Sequence, residues 1–80
     1  MTWEDVRVGE VYGWGDDYKT IQFFVTELFD TLIPDDNDPD ILWCGKVKRY
    51  YSFMPNAVWD LRLSVRDCAF LRSLDHIFYE

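Results

Sequence analysis

Histidine is almost missing from these 80 residues, with His76 the single copy, and cysteine occurs only at positions 44 and 68. Without a C-x-x-C pair or a second histidine, a four-ligand zinc site of the Cys/His kind cannot be assembled. The four glycines stand apart at 9, 13, 15 and 45, which leaves no glycine-rich loop to cradle a phosphate. No apolar run approaches the roughly 20 residues that a membrane-spanning helix needs. No secretory leader precedes the first structured segment, so a cytoplasmic protein with reduced thiols is expected. Cys44 and Cys68 are then buried small hydrophobes, with a disulfide between them as the alternative. Cations are scarce at the start: Arg7 and Lys19 are the only ones through position 40.

What is present is apolar and aromatic. Hydrophobic residues make up 49% of the chain, too many for a disordered acidic tail. Eighty residues form a single domain, 1–80, and a domain this small buries only about 60% of its unfolded surface. Four Trp, five Tyr and six Phe are a heavy load for so small a core. Some of these rings are expected to stay exposed, as partner anchors or as a lid over the core.

The charge is lopsided. Residues 1–40 hold eleven acids and two bases, a net of −9, whereas residues 41–80 hold four acids and six bases, a net of +2. The segment DTLIPDDNDPD, residues 30–40, carries five aspartates and no base. If folding keeps the two halves apart, the molecule has an electrostatic direction.

Along the chain, the Val- and aromatic-rich run VRVGEVYGW (6–14) reads as a strand whose apolar phase shifts at Gly9, the signature of a bulge. GDDYK (15–19) fits a hairpin loop. TIQFFVTELF (20–29) reads as a second strand. Pro34 and Pro39 are expected to exclude regular pairing through 30–40. ILWCGKVKRYY (41–51) is a third strand, with Gly45 a bulge or a close approach. SFMPN (52–56) is a turn. In AVWDLRLSV, Ala57, Trp59, Leu61, Leu63 and Val65 alternate with Val58, Asp60, Arg62 and Ser64, which predicts one buried and one wet face. Phe70, Leu71, Leu74, Ile77 and Phe78 follow a helical stripe. Ser64 and Asp67 have N-terminal capping spacing. A short helix over about 67–77 is expected, with a fifth strand followed by a single turn as the alternative.

The expected fold is mostly β (α+β): a small antiparallel, four- to five-stranded curled sheet with the C-terminal helix as its cover. The pattern V-x-V-G-E-V-Y, three evenly spaced strands and a short final element resemble a small, partly open SH3-like barrel. That likeness implies architecture and not function.

Catalysis finds little to work with. Asp36, Asp38 and Asp40 begin like a calcium loop, but Ile41 stands where glycine is required and Val47 where the bidentate glutamate belongs. Asp16-Asp17 and Asp35-Asp36 are adjacent, so in extended chain their carboxylates point apart. A non-enzymatic protein without cofactor or metal is expected.

Lys46, Lys48, Arg49, Tyr50 and Tyr51 form a basic aromatic strand that could hold phosphates and stack bases. An acidic chain with a pI near 4.4 opposes direct nucleic-acid binding. The inverse reading leads. Carboxylates at phosphate-like density could occupy a basic groove that normally receives DNA or RNA. The residues expected to do so are Asp16, Asp17, Glu27, Asp30, Asp35, Asp36, Asp38 and Asp40, with Trp14, Tyr18 and Trp43 as uncharged anchors. In size, acidity and lack of catalytic residues the chain resembles the small inhibitors that phages deploy against host nucleases, including anti-CRISPR and anti-restriction proteins. The resemblance is one of composition over the whole chain and rests on no motif. It implies a basic protein surface, on a nucleic-acid-handling enzyme, as the partner. The alternative is a general interaction module or homodimeric subunit that uses exposed aromatics. A third reading is a nucleic-acid-binding barrel working through the basic strand.

Overall fold

A computed structural model describes residues 1–74. Its frame is one antiparallel sheet of five strands, not closed: β1 (Val11–Trp14), β2 (Ile21–Pro34), β3 (Leu42–Tyr51), β4 (Met54–Ser64) and β5 (Leu71–Ser73), in spatial order β4-β3-β2-β1-β5. The first four strands form a meander. A single turn of helix, α1 (Val65–Cys68), then carries the chain back so that β5 pairs with β1. The sheet is the mostly β, curled and partly open arrangement that the strand spacing implies.

The core lies on one face of the sheet. It comprises Val6, Tyr12, Phe23, Val25, Cys44, Val47, Leu63, Cys68 and Leu71. Cross-strand pairing fixes this set, since Tyr12 opposes Phe23 and Val25 opposes Val47, and directly opposed residues share a face.

Two glycines shape the curl. Gly9 has φ +85°; its N–H donates to the Val25 carbonyl at 2.8 Å, while the Val25 N–H donates to the Glu10 carbonyl at 3.1 Å. Two residues thus oppose one, the bulge expected from the phase shift, with glycine at the left-handed position. At Gly45 the reason is proximity. A Cβ there would drive into the Glu27 carbonyl, beside register shifts in both neighbouring ladders.

Three expectations need correction. Strand β1 begins at Val11, later than the sequence suggests, because Arg7–Glu10 is taken up by the turn and bulge. Strand β2 does not stop at Phe29: Ile33 pairs with Trp43 and Pro34 with Leu42. Proline is tolerated because β1 accompanies β2 only as far as Phe24, so the other edge of β2 is open there. The Asp35 N–H bonds to Ile41 on the β3 side; by alternation the Pro34 nitrogen faces away, where no donor is needed.

The third correction concerns the C-terminal helix. Ser64 caps it as expected, its Oγ accepting from the Asp67 N–H at 3.1 Å. It lasts one turn, and Leu71–Ser73 then pairs with Trp14–Tyr12 as the fifth strand. Pairing satisfies the open edge of β1 and buries Leu71, whereas an isolated short helix has little to hold it. Leu74 is again helical, and residues 75–77 of the predicted helix, with His76 and Ile77, lie outside the described residues.

Among the described residues the helical cover expected over the sheet is reduced to the single turn α1, which packs on β3 and β4. Of the apolar face predicted there, Leu63 is buried, but Trp59 is 46% exposed and Leu61 42% exposed. A groove of about 310 Å³, lined by Trp14, Ile21, Phe23, Val47, Leu61 and Leu63 among others, opens on this side. No helix of the described residues is long and apolar enough to cross a membrane.

Candidate functional site

The β2–β3 loop, residues 35–41, is built around Asp35. Its Oδ2 accepts from the backbone N–H groups of Asn37 and Asp38 at 3.0 and 3.1 Å. Its Oδ1 accepts from the Trp43 indole Nε1–H at 3.2 Å. Arg62 approaches the same oxygen at 3.9 Å and lies over the Trp43 ring at 4.4 Å. The Asn37 amide first, then the Trp43 indole, hold the Asp35 carboxyl below its ordinary range, with smaller help from the Asp38 amide and Arg62. Asp38 makes a second turn, its Oδ1 accepting from the Asp40 N–H at 3.1 Å. Asp36 and Asp40 are exposed, and neither has an ion pair among the described residues.

Asp16 and Asp17 sit in the single 3-10 turn Gly15–Asp17 between β1 and β2, both exposed. This turn and the 35–41 loop are at opposite ends of β2. Folding therefore divides the carboxylates into two groups and does not gather them into one. Glu27 lies between them on β2 opposite Lys46. Asp30 lies in the stretch of β2 between Leu28 and Ile33 where the register shifts, and both are exposed.

Neutralisation is slight. Among the described residues the ion pairs are Lys48–Asp60 at 3.6 Å and Arg62–Asp35 at 3.9 Å. Only Asp35 of the eleven early acids is answered by a cation of the later half. Within the described residues no three metal-ligating side chains converge; of the 35–41 carboxylates, those of Asp35 and Asp38 bond to their own backbone.

The anchors named from the sequence are engaged elsewhere. Trp14 packs on Phe23 and Phe70, with ring centroids 5.5 and 5.2 Å apart. Tyr18 lies under Arg72 at 4.6 Å, and Trp43 belongs to the Asp35 loop. The open rings are others. Phe53, 69% exposed, stacks on Tyr51 at 5.5 Å, and Trp59 meets Tyr51 edge-on at 5.9 Å. Arg49 lies over both Tyr51 and Trp59, at 5.4 and 5.8 Å. Alternation in 57–65 identified the face that carries Trp59 but could not reveal that no described strand lies beyond β4.

The basic strand is split by its own pleat. Lys46, Lys48 and Tyr50 oppose Arg62, Asp60 and Val58 on one face, while Arg49 and Tyr51 oppose or neighbour residues of the other. Residues 42–64 hold four bases and one acid, a net of +3, so the rest of the chain carries −10.

Cys44 and Cys68 are free and buried, their sulfurs 3.7 Å apart. Cys44 also donates to the Leu63 carbonyl at 3.3 Å. The Cys44 neighbour first and burial second push the Cys68 thiol up, which keeps it protonated, while the Cys68 contact lowers the Cys44 thiol.

The chain matches no protein-family model, no curated protein and no solved structure.

Proposed function

We propose that this chain is a non-enzymatic acidic protein that occupies a basic surface of a nucleic-acid-handling enzyme and so excludes the nucleic acid, in the manner of an anti-CRISPR or anti-restriction inhibitor acting in the cytoplasm. One observation carries the reading: ten of the eleven acids in the first forty positions have no ion-pair partner among the described residues. Exposed carboxylates outside ion pairs project a field that steers the molecule onto arginine- and lysine-rich surfaces.

In this reading the contacts are Asp16 and Asp17 at one end of β2 and Asp36 and Asp40 at the other, with Glu27 and Asp30 between. Asp35 shapes its loop and Asp38 orients Asp40. The longest dimension of the protein is 36 Å, close to the roughly 34–36 Å of one duplex turn. A groove built for such a turn is the kind of surface both acidic ends could meet.

The test is displacement of a labelled duplex from a panel of nucleases, read by anisotropy at several salt concentrations. Wild type is expected to displace the duplex from its target, less well as salt rises. Changing Asp16, Asp17, Asp36 and Asp40 together to Lys abolishes displacement. Equal competition by that variant, or inhibition indifferent to salt, refutes the reading.

A second reading is favoured by the Arg49, Tyr51, Phe53 and Trp59 cluster, since Trp, Tyr and Arg dominate interface hot spots. It makes the chain an interaction module, and it predicts that Trp59→Ala, and not the aspartate changes, removes the partner.

A further inference from the structure

Strand β4 ends the sheet. No described residue outside β3 hydrogen-bonds to its backbone between Met54 and Arg62. It is eleven residues long, with Trp59 and Leu61 exposed on one face and Asp60 and Arg62 exposed on the other. Natural edge strands of this length are usually shortened, bulged or covered, because the free backbone row templates another strand.

We infer that this edge pairs with β4 of a second copy, antiparallel about a twofold axis through Leu61, to give a continuous ten-stranded sheet. The inference rests on the edge and its charges and is independent of the proposed function. The charge sequence selects the register. With Leu61 opposite Leu61 of the second copy, Asp60 faces Arg62 of that copy and Arg62 faces its Asp60, so the strand is self-complementary. On the other face Trp59 lies against Leu63 of the second copy.

A two-residue slip in one direction sets Asp60 against Asp60, and in the other Arg62 against Arg62. Like charges directly opposed are unfavourable, and slips by one residue would turn the apolar face outward. The Lys48 and Asp35 contacts of these two side chains come from within the chain, and both charges remain largely exposed: the Asp60 side chain is 81% exposed and that of Arg62 55% exposed. Lys46 and Lys48 stand one strand in from the edge. Lys46 would be about 14 Å from Lys48 of the second copy, three strand spacings, and the two are therefore screened beyond the roughly 8 Å Debye length of physiological salt.

Sedimentation velocity tests the inference. Wild type is expected to move from monomer to dimer as concentration rises toward roughly 1 mM, where even a weak strand-edge contact populates. Asp60→Arg alone and Arg62→Asp alone each weaken the dimer roughly tenfold or more, because both symmetry-related pairs become like-charged. An equimolar mixture of the two variants forms a heterodimer as tight as the wild-type pair, which also proves that each variant is folded.

Register is read by cross-linking. Leu61→Cys joins two chains when diamide takes up the two thiol hydrogens, since opposed Cα atoms lie about 4.5–5.5 Å apart. Trp59→Cys does not, its copies being about 13 Å apart along the strands. A monomer at every concentration, a dimer indifferent to the single charge changes, or cross-linking at 59 in place of 61 overturns the inference.

Discussion

The indole of Trp43 donates to the carboxylate of Asp35 across the β2–β3 loop, at 3.2 Å. A residue chosen from the sequence as a partner-binding acid is thereby the internal brace of its own loop. Its pKa is lowered chiefly by the Asn37 amide and then by this indole. A carboxyl whose folded pKa is depressed stabilises the fold above its unfolded value, and the contribution is lost as pH falls through the folded value.

Asp35 should therefore titrate late as pH falls. Followed by NMR, the Asn37 and Asp38 amides and the Trp43 Nε1–H should report a single carboxyl with an apparent pKa below 3.8. Asp35→Asn should remove that titration and speed exchange of both amides. A midpoint at or above 3.8 would mean that the brace does not form.

Gly45 and Gly9 should respond differently to alanine. At Gly45 the new methyl meets the Glu27 carbonyl, and β2 or β3 must shift, at a cost of about 1–3 kcal/mol or more. At Gly9 nothing lies within 4 Å of the added carbon, and the cost is the left-handed backbone alone, about 1–2 kcal/mol. Urea unfolding should place Gly45→Ala below Gly9→Ala in stability; the reverse order would contradict the close approach.

Leu61 and Leu63 are the same residue type on the same face of β4, 42% and 1% exposed. Leu63→Ala should cost about 2–5 kcal/mol of unfolding free energy. In dilute solution Leu61→Ala should cost under about 1 kcal/mol, as surface changes do. Equal effects would show that the β4 face is covered after all.

The two thiols should be convertible. Their sulfurs are 3.7 Å apart and 24 residues separate them. Closing to the roughly 2.05 Å bond needs a modest shift. Diamide should then remove both free thiols, counted in denaturant, without linking chains. The loop entropy predicts stabilisation of about 3.5 kcal/mol, seen as a raised Tm. Two thiols persisting after long exposure, or a lowered Tm, would show that core packing forbids the bond.

Much of the fold was legible along the chain. The β-branched and aromatic runs mark the strands, Gly9 marks its bulge, and Ser64 marks the start of α1, because each reports a local backbone preference. The helix expected over 67–77 gives way at residues 69–73 for a nonlocal reason. Leu71 and Leu74 fit a helical stripe, but the open edge of β1 offered residues 71–73 a hydrogen-bonded partner. Pro34 misled similarly, since its missing N–H matters only if a neighbouring strand needs it. For the candidate site, residue type indicated that Asp35 is acidic but not that Trp43, eight positions on, would claim its oxygen.

The amino-acid sequence by itself determined the net charge of −7 and its concentration in the first forty positions, the alternating faces of the strands, and the absence of a Cys/His zinc set, because these are additive or local properties. Tertiary structure alone decided that Asp16-Asp17 and Asp35–Asp40 stand at opposite ends of β2, and that Trp59 and Leu61 remain open. Strand order decided it. A residue's neighbours across a sheet depend on which strand lies alongside, and β4 was left at the rim, where no further strand of the described chain buries its side chains or pairs its backbone.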